Sequence, residues 1–414
     1  MSQSDDEGVT DATDQPSDRI DPEATIELLQ KLVRIRSPFF EEAAMARAVY
    51  DWLADRDLEP EYHAVSEPEI TGFDGNNVVA RLEGTDPDAP TLLLNGHMDT
   101  VRIVDGWDED PLSGRIEDGR LYGQGACDMK GGLVSLLVAF EALAELDGDL
   151  AGDIVLTAVV GEEGPFGLGT YQLLRDGITD DVDGAIVAEP GPAIARHGLE
   201  NPALLLGARG GFRYEITVRG NAAHASHPED GTNAVVDAAR IATALDEMAC
   251  DSHPALGSGS ICPLEIRGGD DPLSVPDRCT LAVNRHIVPG ESAEVVLEQA
   301  LDVVDDLNLE SSVEVELRET PYENLRFGPY VTDEDHPLVR MLSDQSERLT
   351  GVEPSIDYFS SIGDFNHLGH TAEIPTVIVG PDGDNVHSTG EYVETDDVVM
   401  VARLVADTAA AWLS

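Results

Sequence analysis

Two histidines and several carboxylates stand at the ends of short apolar runs in this chain, an arrangement suited to holding divalent metal ions. The segments are Leu92-Leu93-Leu94-Asn95-Gly96-His97-Met98-Asp99, Gly123-Gln124-Gly125-Ala126-Cys127-Asp128, Val159-Val160-Gly161-Glu162-Glu163-Gly164, Ile186-Val187-Ala188-Glu189-Pro190 and Asn385-Val386-His387-Ser388. Three of them follow strand-like stretches, at 91–94, 154–160 and 184–188. Open α/β sheets place binding groups just beyond the carboxyl ends of their strands.

Two divalent ions about 3.5–4 Å apart can bind one water between them, lower its pKa and stabilise a developing oxyanion. Asp128 suits the bridging ligand, because its glycine-rich turn allows close backbone approach. His97 and Glu189 then complete one metal site, and Glu163 and His387 the other. Mixed nitrogen and oxygen donors favour zinc, with cobalt and manganese also compatible. Asp99 lies on the same side of an extended chain as His97, placed to accept the second imidazole N–H. If Glu163 faces the metal, its neighbour Glu162 is free to act as general base. Each piece alone is weak. A lone histidine after a strand is more often a core or surface residue, and in so acidic a chain a Glu pair is more often solvated. The full set in strand-end contexts reverses that balance.

The elements that must position these residues are legible as periodic patterns. Asp21-Pro22-Glu23 opens a helix with an Asp cap and Pro in the first turn, which Arg36-Ser37-Pro38 ends. A second helix is expected near 41–54, and another, rich in Leu, Val and Ala, over 131–146. Strand and helix patterns alternate to about residue 200, which implies an α/β layer with a mainly parallel sheet. From residue 207 the pattern changes to strand, helix, two strands, helix, strand, the order of a split βαβ, ferredoxin-like domain. Its strands are expected at 210–220, 260–266, 278–288 and 312–317, and its helices at 233–248 and 293–307. The expected organisation is an acidic disordered tail over 1–20, a metal-binding catalytic domain over 21–206 and 318–414, and the inserted domain over 207–317. A helix at 337–350, a strand at 376–379 and a helix at 395–412 complete the catalytic domain.

Composition narrows the class. The 25 basic and 81 acidic residues leave a net charge of −56. A nucleic-acid or anionic-membrane partner does not fit such a field. Adaptation to very high salt does, since the screening length falls to about 3 Å at 1 M and self-repulsion becomes tolerable. No apolar run approaches the roughly 18 residues of a membrane span. The acidic N-terminus lacks a secretory pattern, so a cytoplasmic protein is expected. The four cysteines show no metal-binding or disulfide spacing, and Cys127 reads as a small buried thiol.

The segments resemble the co-catalytic zinc superfamily that includes acetylornithine deacetylase, succinyl-diaminopimelate desuccinylase, aminoacylase and carboxypeptidase G. Gly96-His97-Met98-Asp99-Thr100-Val101 is similar to its first signature, and Gly123-Gln124-Gly125-Ala126-Cys127-Asp128-Met129-Lys130-Gly131-Gly132 to its second. The resemblance runs in order from about residue 20 to 414 and implies the ligand roles above, with Asp128 bridging and Glu162 as base. The inserted block resembles the family's lid and dimerisation domain, which implies a homodimer. Within it, Gly220-Asn221-Ala222-Ala223-His224-Ala225-Ser226 resembles the loop whose histidine stabilises the oxyanion, often in the neighbouring subunit's site. The residues alone would make His224 a polar loop residue. Arg285 sits where the family tends to bind the substrate carboxylate, with a structural salt bridge as the competing reading. Asn233 could assist there, with helix capping as its alternative. One loop departs from the desuccinylase pattern: Ser361-Ile362-Gly363-Asp364 replaces Gly-Thr-Ser-Asp. Residues 360–364 are still expected to line the pocket.

The expected function is metal-dependent hydrolysis of the amide bond of N-acyl amino acids, a deacylase of amino-acid synthesis acting on an N-acetyl-ornithine-like or N-acetyl-lysine-like substrate. A metal-bridging hydroxide attacks the carbonyl, and Glu162 passes its proton to the leaving amine. A dipeptidase or carboxypeptidase using the same di-metal site is the alternative. A catalytically silent binding protein would have lost a ligand or the base, and all are present. The charge makes a prediction of its own: the far-ultraviolet circular dichroism of the folded chain should be weak in dilute buffer and grow as potassium chloride is raised to molar levels. A full native spectrum without salt would overturn the high-salt reading.

Overall fold

Runs without polar alternation become central strands, covered on both faces. In the computed structural model, Leu92–His97, Ile154–Val159, Gly184–Val187 and Ala203–Ala208 are buried at every residue. The structure describes residues 15–146, 150–194, 199, 201–269, 272–323 and 325–414. The main elements, in chain order, are α1 (Pro22–Val33), α2 (Ala43–Ala54), β1 (Glu61–Glu67), β2 (Phe73–Leu82), β3 (Leu92–His97), α3 (Gly132–Ala144), β4 (Ile154–Val159), α4 (Leu168–Arg175), β5 (Gly184–Val187) and β6 (Ala203–Ala208). There follow β7 (Gly210–Arg219), α5 (Ala234–Asp246), β8 (Ser260–Gly268), β9 (Arg278–Ile287), α6 (Ala293–Asp306) and β10 (Ser312–Leu317). The chain ends with β11 (Tyr330–Val331), α7 (Pro337–Thr350), β12 (Ser355–Phe359), β13 (Thr376–Ile378) and α8 (Thr395–Trp412).

A nine-stranded sheet runs in the order β1-β2-β4-β3-β5-β13-β6-β11, with β12 beside β6. Its centre, β4-β3-β5-β13, is parallel, while β1, β2 and β11 pair antiparallel. Leu92 and Leu94 face a core shared with α1, α3 and α8, and Leu93 faces the opposite core with Val155, Phe359 and Phe365. The apolar character of α3 on all sides follows from its place between β3 and α8.

The segment from Gly210 to Leu317 forms a separate antiparallel sheet, β8-β9-β7-β10. Its own core joins Ile216, Leu281 and Val283 to Ala238 and Ile241 of α5 and Val296 and Ala300 of α6. Residues 207 and 208 still belong to β6, so the two sheets meet at Arg209 rather than at the expected 207.

The expected tail over 1–20 lies outside the described residues as far as 14. From Gln15 the chain is folded, which corrects that boundary. Pro16–Arg19 forms a short turn with Ser17 and Ile20 buried, and Ser17 N–H donates to buried Asp407 of α8 at 3.0 Å. Polar composition hid this anchor, because the partner lies 390 residues away.

The first residue of α3 ties two ligand-bearing segments together. A Cβ on Gly132 would stand 1.7 Å from the Ala188 carbonyl oxygen, just before Glu189. Gly132→Ala should therefore lower the unfolding free energy by about 1–3 kcal/mol, the usual cost of overpacking. Denaturant unfolding in molar potassium chloride measures it, and an unchanged midpoint would refute this close packing.

Candidate metal centre

Three parallel strands deliver their carboxyl ends to one edge of the sheet. His97 is the last residue of β3 itself, Glu189 follows β5, and Glu162 and Glu163 follow β4. β3 pairs parallel with both β4 and β5, so the three ends coincide. Asp128 comes from the turn before α3. There Gly125 adopts φ +73°, and a Cβ would lie 2.2 Å from Thr100 Cγ2, so only glycine fits. His387 comes from the loop after the short strand Gly383–Asp384.

Asp128 stands between the two imidazoles. Its Oδ1 is 3.1 Å from His97 Nε2, and its Oδ2 is 3.2 Å from His387 Nε2. Glu189 Oε1 lies 3.5 Å from His97 Nε2, and Glu163 Oε1 lies 2.9 Å from His387 Nε2. Beside an all-carboxylate set, Glu162–Glu189–Asp364, two overlapping histidine-bearing donor sets result, His97–Asp128–Glu189 and Asp128–Glu163–His387, each with its donor atoms within 4.8 Å of one another. The shared member is a carboxylate with one oxygen turned to each set.

The electrostatics match a cation site. Burial pushes the Glu162 and Glu189 carboxyls well above the usual range, and neighbouring carboxylates push them further, against the pull of His97. Burial alone would lower His97, but Glu189, the bond to Asp128 and Asp99 carry it well above an ordinary imidazole. His387 is raised to about 11 by its bonds to Asp128 and Glu163. Burial works against the Asp128 carboxylate, yet the bonds from His387 and His97 hold it below its ordinary value. Such a cluster takes up protons where it has no other cations. Divalent ions are the compatible alternative, and the nitrogen and oxygen donors fit two of them.

Asp99 is buried in this centre but does not use its carboxylate on His97. His97 Nδ1 donates to the Asp99 carbonyl oxygen at 3.0 Å, and the nearer carboxylate oxygen is 3.7 Å away. The carboxylate instead accepts the N–H groups of Glu162 (3.2 Å) and Glu163 (2.9 Å). Those turn amides need an acceptor in a buried place, and Asp99 is it.

Two residues expected at the site, Arg285 and Asn233, are elsewhere. Arg285 is fully buried, ion-paired with Glu291 and donating to the His286 carbonyl oxygen. Strand alternation explains the miss: Cys279, Leu281, Val283 and Arg285 face the helices, and Asn284 faces the other way. Asn233 caps α5, its side chain accepting from Val235 N–H at 3.0 Å and Val236 N–H at 3.2 Å. His224, for which the expected role lies often in the neighbouring subunit's site, stands on an exposed loop, bonded to Ser226 Oγ at 2.6 Å, and joins neither histidine-bearing donor set of its own chain. Cys127 is a buried thiol whose pKa burial raises.

Two buried carboxylates were not foreseen. Glu391 accepts from the N–H groups of Gly125, Cys127 and Asp128 at 2.9, 3.0 and 3.1 Å, and burial raises its pKa to about 8. Glu42 accepts from Gly161 N–H at 3.1 Å, just before the Glu pair, and burial raises it to about 7. In a chain with 81 acidic residues neither had a distinguishing neighbour, although Glu391 lies only four positions after His387. Asp364 Oδ2 accepts from Asn95 Nδ2 (3.1 Å) and Thr170 Oγ1 (2.5 Å), and its own N–H donates to Glu162 Oε1 at 3.2 Å. A cavity of about 230 Å³ opens beside the centre, lined by Glu162, Glu163, Phe166, Ile362 and residues of β7 and β9. The expected loop at 360–364 thus contributes Ile362 and Gly363.

Comparison with known proteins places this geometry. Residues 93–411 match Peptidase family M20/M25/M40. The chain is 30% identical over 364 residues to an N-formyl-4-amino-5-aminomethyl-2-methylpyrimidine deformylase of Bacillus subtilis (strain 168), covering 82% of this chain and 83% of that one. It is 28% identical over 325 residues to a succinyl-diaminopimelate desuccinylase of Nitrosomonas eutropha, covering 77% and 82%. A dinuclear metal binding peptidase of Bacillus subtilis has the same fold, with a TM-score of 0.71 at 15% identity over 95% of this chain and 98% of that one. The chain belongs to Peptidase family M20/M25/M40.

The Glu391 anchor should govern metal retention. Glu391→Ala should weaken divalent-ion binding about 10–100-fold, as loss of a group that orients a ligand usually does. Competition with a chromophoric chelator reads this directly, and an unchanged affinity would remove Glu391 from the metal centre's support.

Proposed function

We propose that this M20/M25/M40 chain is a metal-dependent hydrolase of the amide bond in small N-acyl compounds, with Glu162 as its general base. The observation that carries the reading is the carboxylate of Asp128 shared between two histidine-bearing donor sets, with a further buried carboxylate, Glu162, beside them. His97, Asp128 and Glu189 would hold one divalent ion, and Asp128, Glu163 and His387 the second; zinc suits the mixed donors best. Ions held there supply positive charge that polarises a carbonyl and acidifies water.

The residues of the chain supply the rest. Glu162 Oε1 is engaged by the Asp364 N–H, which leaves Oε2 to receive a proton from the attacking water. Burial raises the affinity of this carboxyl for a proton. Once protonated, it can deliver that proton to the amine nitrogen as the C–N bond breaks. The Asp99 carboxylate fixes the backbone of Glu162 and Glu163, so base and ligand are held in one rigid turn.

Deacylation is favoured over peptide hydrolysis. The relatives that share 28–30% identity carry names of a deformylase and a desuccinylase. The peptidase shares the fold at 15% identity. The test is hydrolysis of a panel of N-formyl, N-acetyl and N-succinyl compounds beside dipeptides, in molar potassium chloride with zinc or cobalt. Glu162→Ala should lower kcat about 10²–10⁴-fold while equilibrium dialysis still finds metal bound. Turnover that survives this substitution would overturn the mechanism, and faster cleavage of dipeptides would move the assignment to a peptidase.

A further inference from the structure

The exposed face of the small sheet supplies one wall of the cavity beside Glu162. Arg213 of β7 pairs with Asn284 of β9, and the Arg318 N–H donates to the Arg213 carbonyl oxygen at 2.8 Å. This continues the register in which Leu317 opposes Tyr214, so Asn284, Arg213 and Arg318 form one row across three strands. All three line the cavity that Glu162 and Glu163 also line.

Among the described residues no carboxylate forms an ion pair with Arg213 or Arg318, although the chain carries 81 acidic residues and Glu215, Glu265, Glu316 and Glu319 line the neighbouring hollow that both arginines share. Glu215 and Glu316, the facing pair in the next row, do not close on them. Burial lowers the Arg318 guanidinium pKa, and the charge of Arg213 lowers it further. Like charges directly opposite on a sheet destabilise it, and a bound anion would relieve both. A third cavity arginine, Arg326, is by contrast already engaged, donating from Nη1 to Thr320 Oγ1 and the Leu325 carbonyl oxygen, both at 2.6 Å.

The remaining wall carries aromatic and aliphatic side chains. Phe166, Phe327 and Ile362 line the same cavity, and the Arg318 guanidinium lies 5.2 Å from the Phe166 ring centroid. Among the described residues only Glu162 and Glu163 bring carboxylates to the lining, and both belong to the candidate metal centre.

We infer that this cavity selects substrates bearing an anion on a flat apolar group, with Arg213 and Arg318 binding the anion and the aromatic side chains packing against the flat portion. The inference takes the reaction from the amide-hydrolase reading, but the recognition stands on the arginine row alone. It also places the substrate-carboxylate role on the open face of the sheet, not on the buried Arg285.

The test compares N-acetylphenylalanine with its neutral analogue N-acetylphenylalaninamide, using metal-loaded wild type, Arg213→Gln, Arg318→Gln and the double variant. The wild type should prefer the acid. That preference, read as the ratio of kcat/KM values, should fall about tenfold in each single variant, since a charge-assisted hydrogen bond is lost. The loss should sit mainly in KM. An equal effect on acid and amide would overturn the inference, and so would no effect on either, while turnover by wild type would leave the hydrolase reading standing. If wild type cleaves neither compound, calorimetry with phenylacetate and phenylacetamide decides the recognition separately. Phenylacetate bound more tightly than the amide, and released by the double variant, supports the inference. Equal binding of the two overturns it.

Discussion

Asp128 presents one oxygen to His97 and the other to His387, and the surrounding structure exists to keep that carboxylate in place. The requirement is demanding. Glu162, Glu163, Glu189 and Asp99 crowd the same buried space, and burial drives each of them toward its neutral form. A site of this kind resists its own assembly until cations enter it. The protein meets the resistance with rigid supports rather than with compensating lysines or arginines. Of the two lysines in the chain, Lys130 is nearest in sequence to Asp128, but its ammonium donates to the Ile35 carbonyl at 2.8 Å, and burial lowers its pKa to about 7.

Those supports share one design. Asp99, Glu42 and Glu391 each turn a buried carboxylate onto backbone N–H groups of a ligand-bearing turn. A carboxylate accepts several such bonds at once, so one side chain can fix a whole turn. The candidate metal centre is therefore held by two layers of acids: an inner one whose donors fit cations, and an outer one consumed by the backbone. Net charge does not distinguish them; geometry does.

Much of this arrangement is legible in the sequence. His97, Glu162, Glu163 and Glu189 betrayed themselves by following apolar runs, because β3, β4 and β5 are central strands with no polar face to confuse the pattern. The helices Pro337–Thr350 and Thr395–Trp412 fell on their expected bounds, marked by proline at one start and by a long amphipathic period in both. Three kinds of residue escaped. Glu391 and Glu42 act through backbone amides far away in sequence, and no local spacing records that. Arg285 and Arg213 could be told apart only by knowing which face of each strand meets the helices, and a shift of one residue reverses the answer. The carboxylate of Asp99 was aimed at the imidazole by spacing alone, whereas the unmet amides of the Glu162–Glu163 turn claimed it.

The strand order of the large sheet bears on how the chain is made. β13 at Thr376–Ile378 lies between β5 and β6, which end at Val187 and Ala208 and so are synthesised well before it. During synthesis the sheet must therefore wait with an open gap at its middle, its inner strand edges exposed. The small sheet has no such debt, since all four of its strands come from one continuous stretch, Gly210 to Leu317. All four are made before β13, while β5 and β6 still await their partner. The interval in which the nascent protein is open to mispairing is thus set by the distance along the chain to β13, and a chaperone that shields β5 and β6 would act in that interval.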